Sequence, residues 1–152
     1  MRRLKILKIL DSDILSYALY DQSPAHPYAW RVLEEGLLGE VKVYLTYMTI
    51  LETYNVLYWF YRVRPLRRLV EKLKLTVSGL EIVETSLNGF NISMEENIPL
   101  GDGFLIATAL EHRIPIVVSN DSHIASKAPK YGLIVENPIP REIREQMVKW
   151  KP

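Results

Sequence analysis

Leu100-Gly101-Asp102-Gly103-Phe104-Leu105-Ile106-Ala107-Thr108-Ala109-Leu110, followed shortly by Pro115-Ile116-Val117-Val118-Ser119-Asn120-Asp121, is the stretch whose reading decides the fold. Its first part is apolar almost throughout, follows the turn Pro99-Leu100-Gly101, and predicts a buried helix that opens at Asp102 and ends near Arg113. The second part is a short apolar run, Pro115 to Val118, closed by polar residues, which predicts a buried strand. A helix packed antiparallel on the strand it feeds puts its N-terminus beside the strand's C-terminal end. Asp102 and Asp121 are thereby expected at one edge of a sheet.

Working outward, the same alternation recurs. Lys5 to Leu10 reads as a strand ending at Asp11, followed by a short helix from Ile14 to Leu19. Ser23-Pro24 predicts the start of a second helix, capped by Ser23 and running to Leu38 before Gly39. Val41 to Leu45 alternates as a short strand does, and a long helix from Thr46 or Tyr47 to Arg62 follows. Arg64-Pro65 restarts a helix through Lys74, and Gly79 to Glu84 reads as a strand. Ser86 to Asn97 stays unassigned, because Asn88, Gly89 and Asn91 weaken a helix there. Ser122 to Lys127 predicts a short helix and Leu133 to Val135 the last strand. Pro138 and Pro140 then set off a polar helical tail, Arg141 to Lys149, so that the expected division is a domain over 1–137 and a tail over 138–152. Strands alternating with helices predict an α/β fold with a mostly parallel sheet, in which ligands bind beyond the carboxyl ends of the strands. Asp11 and Asp121 both sit there, on different strands.

Composition narrows the function classes. A chain of 152 residues, 48% hydrophobic and 24% charged, fits one domain with a sizeable core. A formal net charge of +1 supplies no global basic field, so a polyanion would be held by a local patch or by metal. The absence of cysteine excludes disulfides, thiolate metal sites and a cysteine nucleophile. Met1-Arg2-Arg3-Leu4-Lys5 has the charge of a leader's opening, but the apolar run after it is short, contains Lys8 and meets Asp11-Ser12-Asp13 without a small-residue cleavage site. No stretch approaches the roughly 20 apolar residues of a membrane span. A soluble cytoplasmic protein is expected.

Four carboxylates stand in apolar frames: Asp11, Glu52, Asp102 and Asp121. Singly, three have structural explanations. Asp102 suits a helix N-terminus, Asp121 suits the cap of the next helix, and Asp11 or Asp13 suits the cap of the first. Glu52 is harder to explain, since Leu51, Tyr54, Val56, Leu57, Tyr58, Trp59 and Phe60 leave its helix apolar nearly all round. Such a helix is expected to be buried, and a buried carboxylate is costly without a partner. Converging acids repel one another and must protonate or bind cations; a hard divalent ion is the usual resolution.

These residues fall into an ordered pattern. Leu10-Asp11-Ser12-Asp13-Ile14-Leu15 resembles the opening motif of PIN domains, and Ile50-Leu51-Glu52 is similar to their helix-borne Glu. Leu100 through Glu111 resembles their third motif, an Asp followed by an alanine-rich apolar helix, and Val117-Val118-Ser119-Asn120-Asp121 resembles the fourth. The likeness runs from about residue 5 to residue 135 in the correct order. It implies a three-layer α/β/α sandwich around a mostly parallel sheet. Three positions depart from the pattern: Asp13 where Asn is commoner, Ser119 where Thr is commoner, and Gly103 where a larger residue is usual. All core acids are retained.

The resemblance implies a ribonuclease dependent on Mg²⁺ or Mn²⁺. Asp11 and Asp121 are expected as direct metal ligands, Asp102 as a ligand directly or through water, and Glu52 as the residue holding a ligand water or positioning a second ion. Asp13 and Ser119 are expected to orient ligands from behind them. Arg62, Arg64, Arg67 and Arg68, with Lys72 and Lys74, form the strongest basic cluster and are candidates for RNA phosphates, though a solvated helix face explains them as well. Tyr54, Tyr58, Trp59 and Tyr61 are candidates for base stacking or for packing. His26, His112 and His123 share no metal-ligand spacing; His123, Lys127 and Lys130 are minor site candidates. Length and single-domain form resemble VapC-type toxins, which implies an antitoxin partner and a homodimer built on the Tyr47 to Tyr61 helix. Alternatives are a PIN nuclease of RNA processing and a non-catalytic scaffold. A phosphotransfer domain lacks its glycine-rich loop or nucleophile-lysine pair here.

Overall fold

A computed structural model describes residues 4–152; Met1, Arg2 and Arg3, the leader-like opening, lie outside the described residues. The order is β1 (Leu7–Leu10), α1 (Ser12–Leu19), α2 (His26–Leu37), β2 (Lys42–Leu45), α3 (Tyr47–Asn55) with a π-helical turn (Val56–Phe60), α4 (Leu66–Ser78) and β3 (Glu81–Ile82). Then come α5 (Gly89–Glu96), α6 (Leu100–Glu111), β4 (Ile116–Val118), α7 (Ser122–Lys127) with a 3-10 turn (Ala128–Tyr131), β5 (Ile134–Glu136) and α8 (Arg141–Lys149).

The five strands form one sheet in the order β3-β2-β1-β4-β5, and all four pairings are parallel. Side chains alternate across it with the period of two that strands impose. Leu10, Val43, Leu45 and Val118 enter one core with Ile14, Leu33, Leu57 and Leu69. Ile9 and Val117 enter the other with Ile106, Ala109 and Ile124. The chain steps from β1 outward to β2 and β3, then returns to lay β4 and β5 on β1's other side. Right-handed crossovers in opposite directions place their helices on opposite faces. Hence α1 to α4 cover one face and α5 to α7 the other, a three-layer α/β/α sandwich. The tail helix α8 returns to the first layer, where Ile143, Met147 and Trp150 pack against that core.

Several elements differ in extent from expectation. The α2 helix starts at His26, not at Ser23, because Ser23 is used one turn earlier: its Oγ accepts the Ala25 N–H at 3.2 Å. The α4 helix runs a turn beyond Lys74, following the i, i+4 series Leu69, Leu73, Val77. The unassigned stretch holds α5, which ends where Asn97 adopts the left-handed conformation at φ 54°. The β3 strand is two residues long, and β5 lies one residue further on. The Glu52 helix is buried on only one side. Thr49, Thr53 and Leu57 face the core, whereas Tyr47, Leu51, Trp59 and Phe60 are 76%, 60%, 67% and 64% exposed.

Gly103 also has a reason. A Cβ built there would stand 2.5 Å from the carbonyl oxygen of Gly89 and 3.0 Å from Ser93 Cβ. The close approach of α5 to α6 therefore requires glycine at this position.

Candidate active site

Strand order reverses between β1 and β4, and a crevice opens outside the carboxyl ends of two parallel strands at such a point. The register pairs Leu10 with Val118, so the two strands end level, and the Asp11 N–H donates to the Val118 carbonyl at 2.9 Å. Asp11 and Asp121 thus leave neighbouring strands at the same edge. Ser119 fastens them together: its Oγ donates to Asp11 Oδ2 at 2.7 Å and accepts the Asp121 N–H at 2.9 Å. Asp11 Oδ1 accepts from the Ser12 N–H at 2.7 Å. Asp121 Oδ1 caps α7, accepting the His123 and Ile124 N–H groups at 2.7 and 3.4 Å. Capping uses only that oxygen and leaves Oδ2 for another partner.

Asp13 joins the same edge. Its Oδ2 accepts the Asn120 N–H at 2.9 Å and its Oδ1 the Ile14 N–H at 2.7 Å, tying α1 to the loop after β4. Burial and the neighbouring charges of Asp11 and Asp121 raise its carboxyl well above the usual range. Asp11 is raised as well, by burial first and also by Asp121, against the lowering effect of the Ser119 and Ser12 hydrogen bonds. Tyr17, one helical turn beyond Asp13, is a site residue that sequence reasoning missed. Burial and the Asp13 charge push its phenol up to about 12. The i, i+4 spacing from Asp13 was the available signal.

Glu52 and Asp102 complete the group from two helices on opposite layers. Asp102 lies in the first turn of α6, which begins at Leu100, two residues before the start expected for it, and its Oδ2 is buried with no hydrogen-bond partner. Burial, then Asp121, Asp11 and Glu52, push its carboxyl up to about 7. Glu52 is pushed up to about 7 by burial and by Asp11. Thr53 on the same helix donates to the Ser12 carbonyl at 3.5 Å, which holds Glu52 beside the start of α1. A Cβ on Gly101 would lie 3.0 Å from Glu52 Oε2, so the missing side chain lets that carboxylate approach the α6 N-terminus.

The basic cluster lies elsewhere. Arg64 donates to the Tyr58 and Val63 carbonyls at 2.7 and 3.0 Å and stacks over the Tyr58 ring at 3.7 Å. Arg67 pairs with Glu71, and Lys72 donates to the Leu19 carbonyl at 2.9 Å. Arg62 lines a depression with Tyr20, Asp21, Tyr61 and Arg64. Lys127 and Lys130 are drawn to Glu96 at 3.9 and 3.1 Å. His26 bonds the Tyr17 carbonyl and His112 the Glu84 carbonyl, both local roles, while His123 supplies its backbone N–H to Asp121.

The PIN domain family model matches residues 8–130. The chain belongs to the PIN domain family. Among solved structures, this PIN domain is similar to PAE2754 from Pyrobaculum aerophilum, at 17% identity and TM-score 0.61 over 96% of this chain and 97% of that one. VapBC2 from Rickettsia felis, bound to a DNA fragment from their promoter, matches at 18% identity and TM-score 0.61 over 87% and 98%. A toxin-antitoxin complex from Klebsiella pneumoniae matches at 17% and 0.61 over 86% and 97%. At these identities the likeness is one of fold. No curated protein matches the chain.

A hard cation fits the donor set of this PIN domain. Its acids offer oxygen alone, their charges raise one another, and Asp102 Oδ2 is buried without a partner. Among the described residues no three of them already close round one point. Asp11, Asp13 and Asp121 each turn an oxygen to a hydrogen-bond donor, and Glu52 approaches from a separate layer. Among the described residues no helix is long and apolar enough to cross a membrane.

Proposed function

We propose that this PIN domain is a divalent-metal-dependent ribonuclease of VapC type, the toxin of a toxin-antitoxin pair. The observation that carries the reading is the convergence of Asp11, Glu52, Asp102 and Asp121 on one sheet edge, where each raised carboxyl feels at least one of the others and Asp102 Oδ2 stays unpartnered. Asp11, Asp102 and Asp121 would hold Mg²⁺ or Mn²⁺, with Glu52 holding a ligand water. Bound there, such an ion would supply Lewis acidity for charge on the scissile phosphate and for deprotonation of a water. The chain supplies the rest. Ser119 orients Asp11 and accepts the Asp121 backbone N–H on its hydroxyl; Asp13 holds the Asn120 loop; Glu52 and Asp102 retain protons near neutrality when no cation offsets their charge.

The toxin assignment is supported by the fold shared with VapBC2 and with the toxin-antitoxin complex. By that reading an antitoxin binds the domain, a homodimer forms through the exposed Tyr47 and Leu51 end of the α3 face, and the RNA target places the protein in the cytoplasm. The test is incubation of purified protein with single-stranded and structured RNA in Mn²⁺, Mg²⁺ or EDTA, beside Asp102→Asn. Cleavage that requires metal and vanishes in the variant is expected. A folded wild-type protein that neither cleaves RNA nor binds Mn²⁺ by calorimetry would move the reading to a non-catalytic scaffold.

A further inference from the structure

We propose that α8 is one wall of the substrate trough and that Arg144 holds a phosphate of a nucleic-acid strand lying against the acids. The inference rests on the nuclease reading and deepens it. Three depressions run into one another along the carboxyl edge of the sheet. A cavity of about 680 Å³ contains Asn120, Asp121, Asn137 and Arg144. A second, of about 270 Å³, shares Asn120 and Arg144 with it and adds Tyr17, Phe60 and Tyr61. The third, of about 470 Å³, shares those three aromatics and reaches Asp13. Together they form one trough that carries Asp121 in its first depression and Asp13 in its third.

Its chemistry is that of a single strand. Arg144 is the one Lys or Arg among the residues lining these depressions. The helix neighbour Arg141 is held by Glu145, whereas Arg144 makes no ion pair among the described residues. A free guanidinium takes a phosphate with two parallel hydrogen bonds. The exposed rings of Trp59 and Phe60 line the third depression, Phe60 lines the second with Arg144 as well, and they offer stacking faces to unpaired bases. An uncommitted cation beside exposed aromatics matches the phosphate-and-base alternation of a strand. In the Arg62 to Arg68 cluster, Arg64 is spent on carbonyls and a tyrosine ring and Arg67 on Glu71, and Arg62 and Arg64 line a neighbouring depression that shares only Tyr61 with these.

The experiment measures cleavage of a labelled single-stranded RNA in Mn²⁺ by wild type, Arg144→Ala, Arg144→Lys and the control Arg141→Ala. Arg144→Ala is expected to raise KM about tenfold with kcat within about twofold, since a charged hydrogen bond to substrate is lost. The slope of log(kcat/KM) against log salt should fall by about 0.7, the value for one phosphate on a single strand. Lysine should restore the salt slope and part of KM, and Arg141→Ala should behave as wild type. Unchanged KM and salt slope in Arg144→Ala overturn the proposal, as does an equal effect from Arg141→Ala. A wild-type protein that cleaves nothing defeats the nuclease reading instead. Fluorescence anisotropy of the same RNA then decides the trough, and equal binding by wild type and Arg144→Ala overturns it.

Discussion

Asp102 shows how an individual residue reports the site's electrostatics. Its carboxyl and that of Glu52 titrate at about 7 in the fold, against 3.8 and 4.5 for the free groups. A folded pKa above the unfolded one means that the native state holds more protons between the two values. The stability these groups allow is therefore fully present below about pH 4 and lost as pH rises through 7. Metal-free protein should melt a few degrees lower at pH 8 than at pH 5, and Mn²⁺ should reverse the drop. Asp102→Asn should flatten the pH slope and melt higher than wild type at pH 8 without metal. Scanning calorimetry across this pH range is the check, and a flat wild-type profile sinks the account. Ser119 gives a second residue-scale prediction. Ser119→Ala strands Asp11 Oδ2 and the Asp121 N–H and should cost roughly 1–3 kcal/mol in urea unfolding, whereas Ser119→Thr should be tolerated. The carboxylates were legible in the sequence because charge inside apolar runs is conspicuous. Tyr17 and Arg144 were not, since an aromatic on a buried helix and an arginine on a polar tail look ordinary until the fold brings them to the edge.

At the scale of elements, legibility followed the clarity of the hydrophobic period. The helices α6, α7 and α8 and the core of β1, β2 and β4 were readable from pattern alone. The α5 helix was not, because Asn88, Gly89 and Asn91 argue against helix locally while packing decides in its favour. Gly89 abuts the Phe104 backbone, and Gly103 abuts the Gly89 carbonyl. Two facing glycines make the closest helix contact of that layer possible, and glycine's weakness as a helix former hides it. Gly103→Ala should therefore force α5 outward and destabilise the protein by roughly 1–3 kcal/mol, measured by chemical denaturation. Little change in the denaturation midpoint would mean that the two helices yield easily. The π-helical turn at Val56 to Phe60 left no mark in the sequence; it continues the Glu52 helix and carries Trp59 and Phe60 to the trough.

For the whole molecule, strand order decides what the site is made of. The β1 strand is central, so its acid meets residues from far along the chain. The tail helix is anchored by Trp150, whose ring lies 6.1 Å from that of Tyr20 and 5.9 Å from that of Tyr61, themselves stacked at 4.2 Å. Trp150→Ala should cost roughly 1–3 kcal/mol and loosen the Arg144 wall, so urea midpoint and KM should shift together. A shift in KM without one in stability would separate the two roles. The Ser119 to Asp11 hydrogen bond spans 108 residues of sequence. During synthesis the first strand waits with one edge bare until the fourth emerges, because domains fill from their N-terminal side. A nascent chain has Asp11 and Glu52 early but neither Asp102 nor Asp121 until more than two thirds of it has been translated. The domain is thus without half of its four acids for most of its time on the ribosome, beside the very message that encodes it.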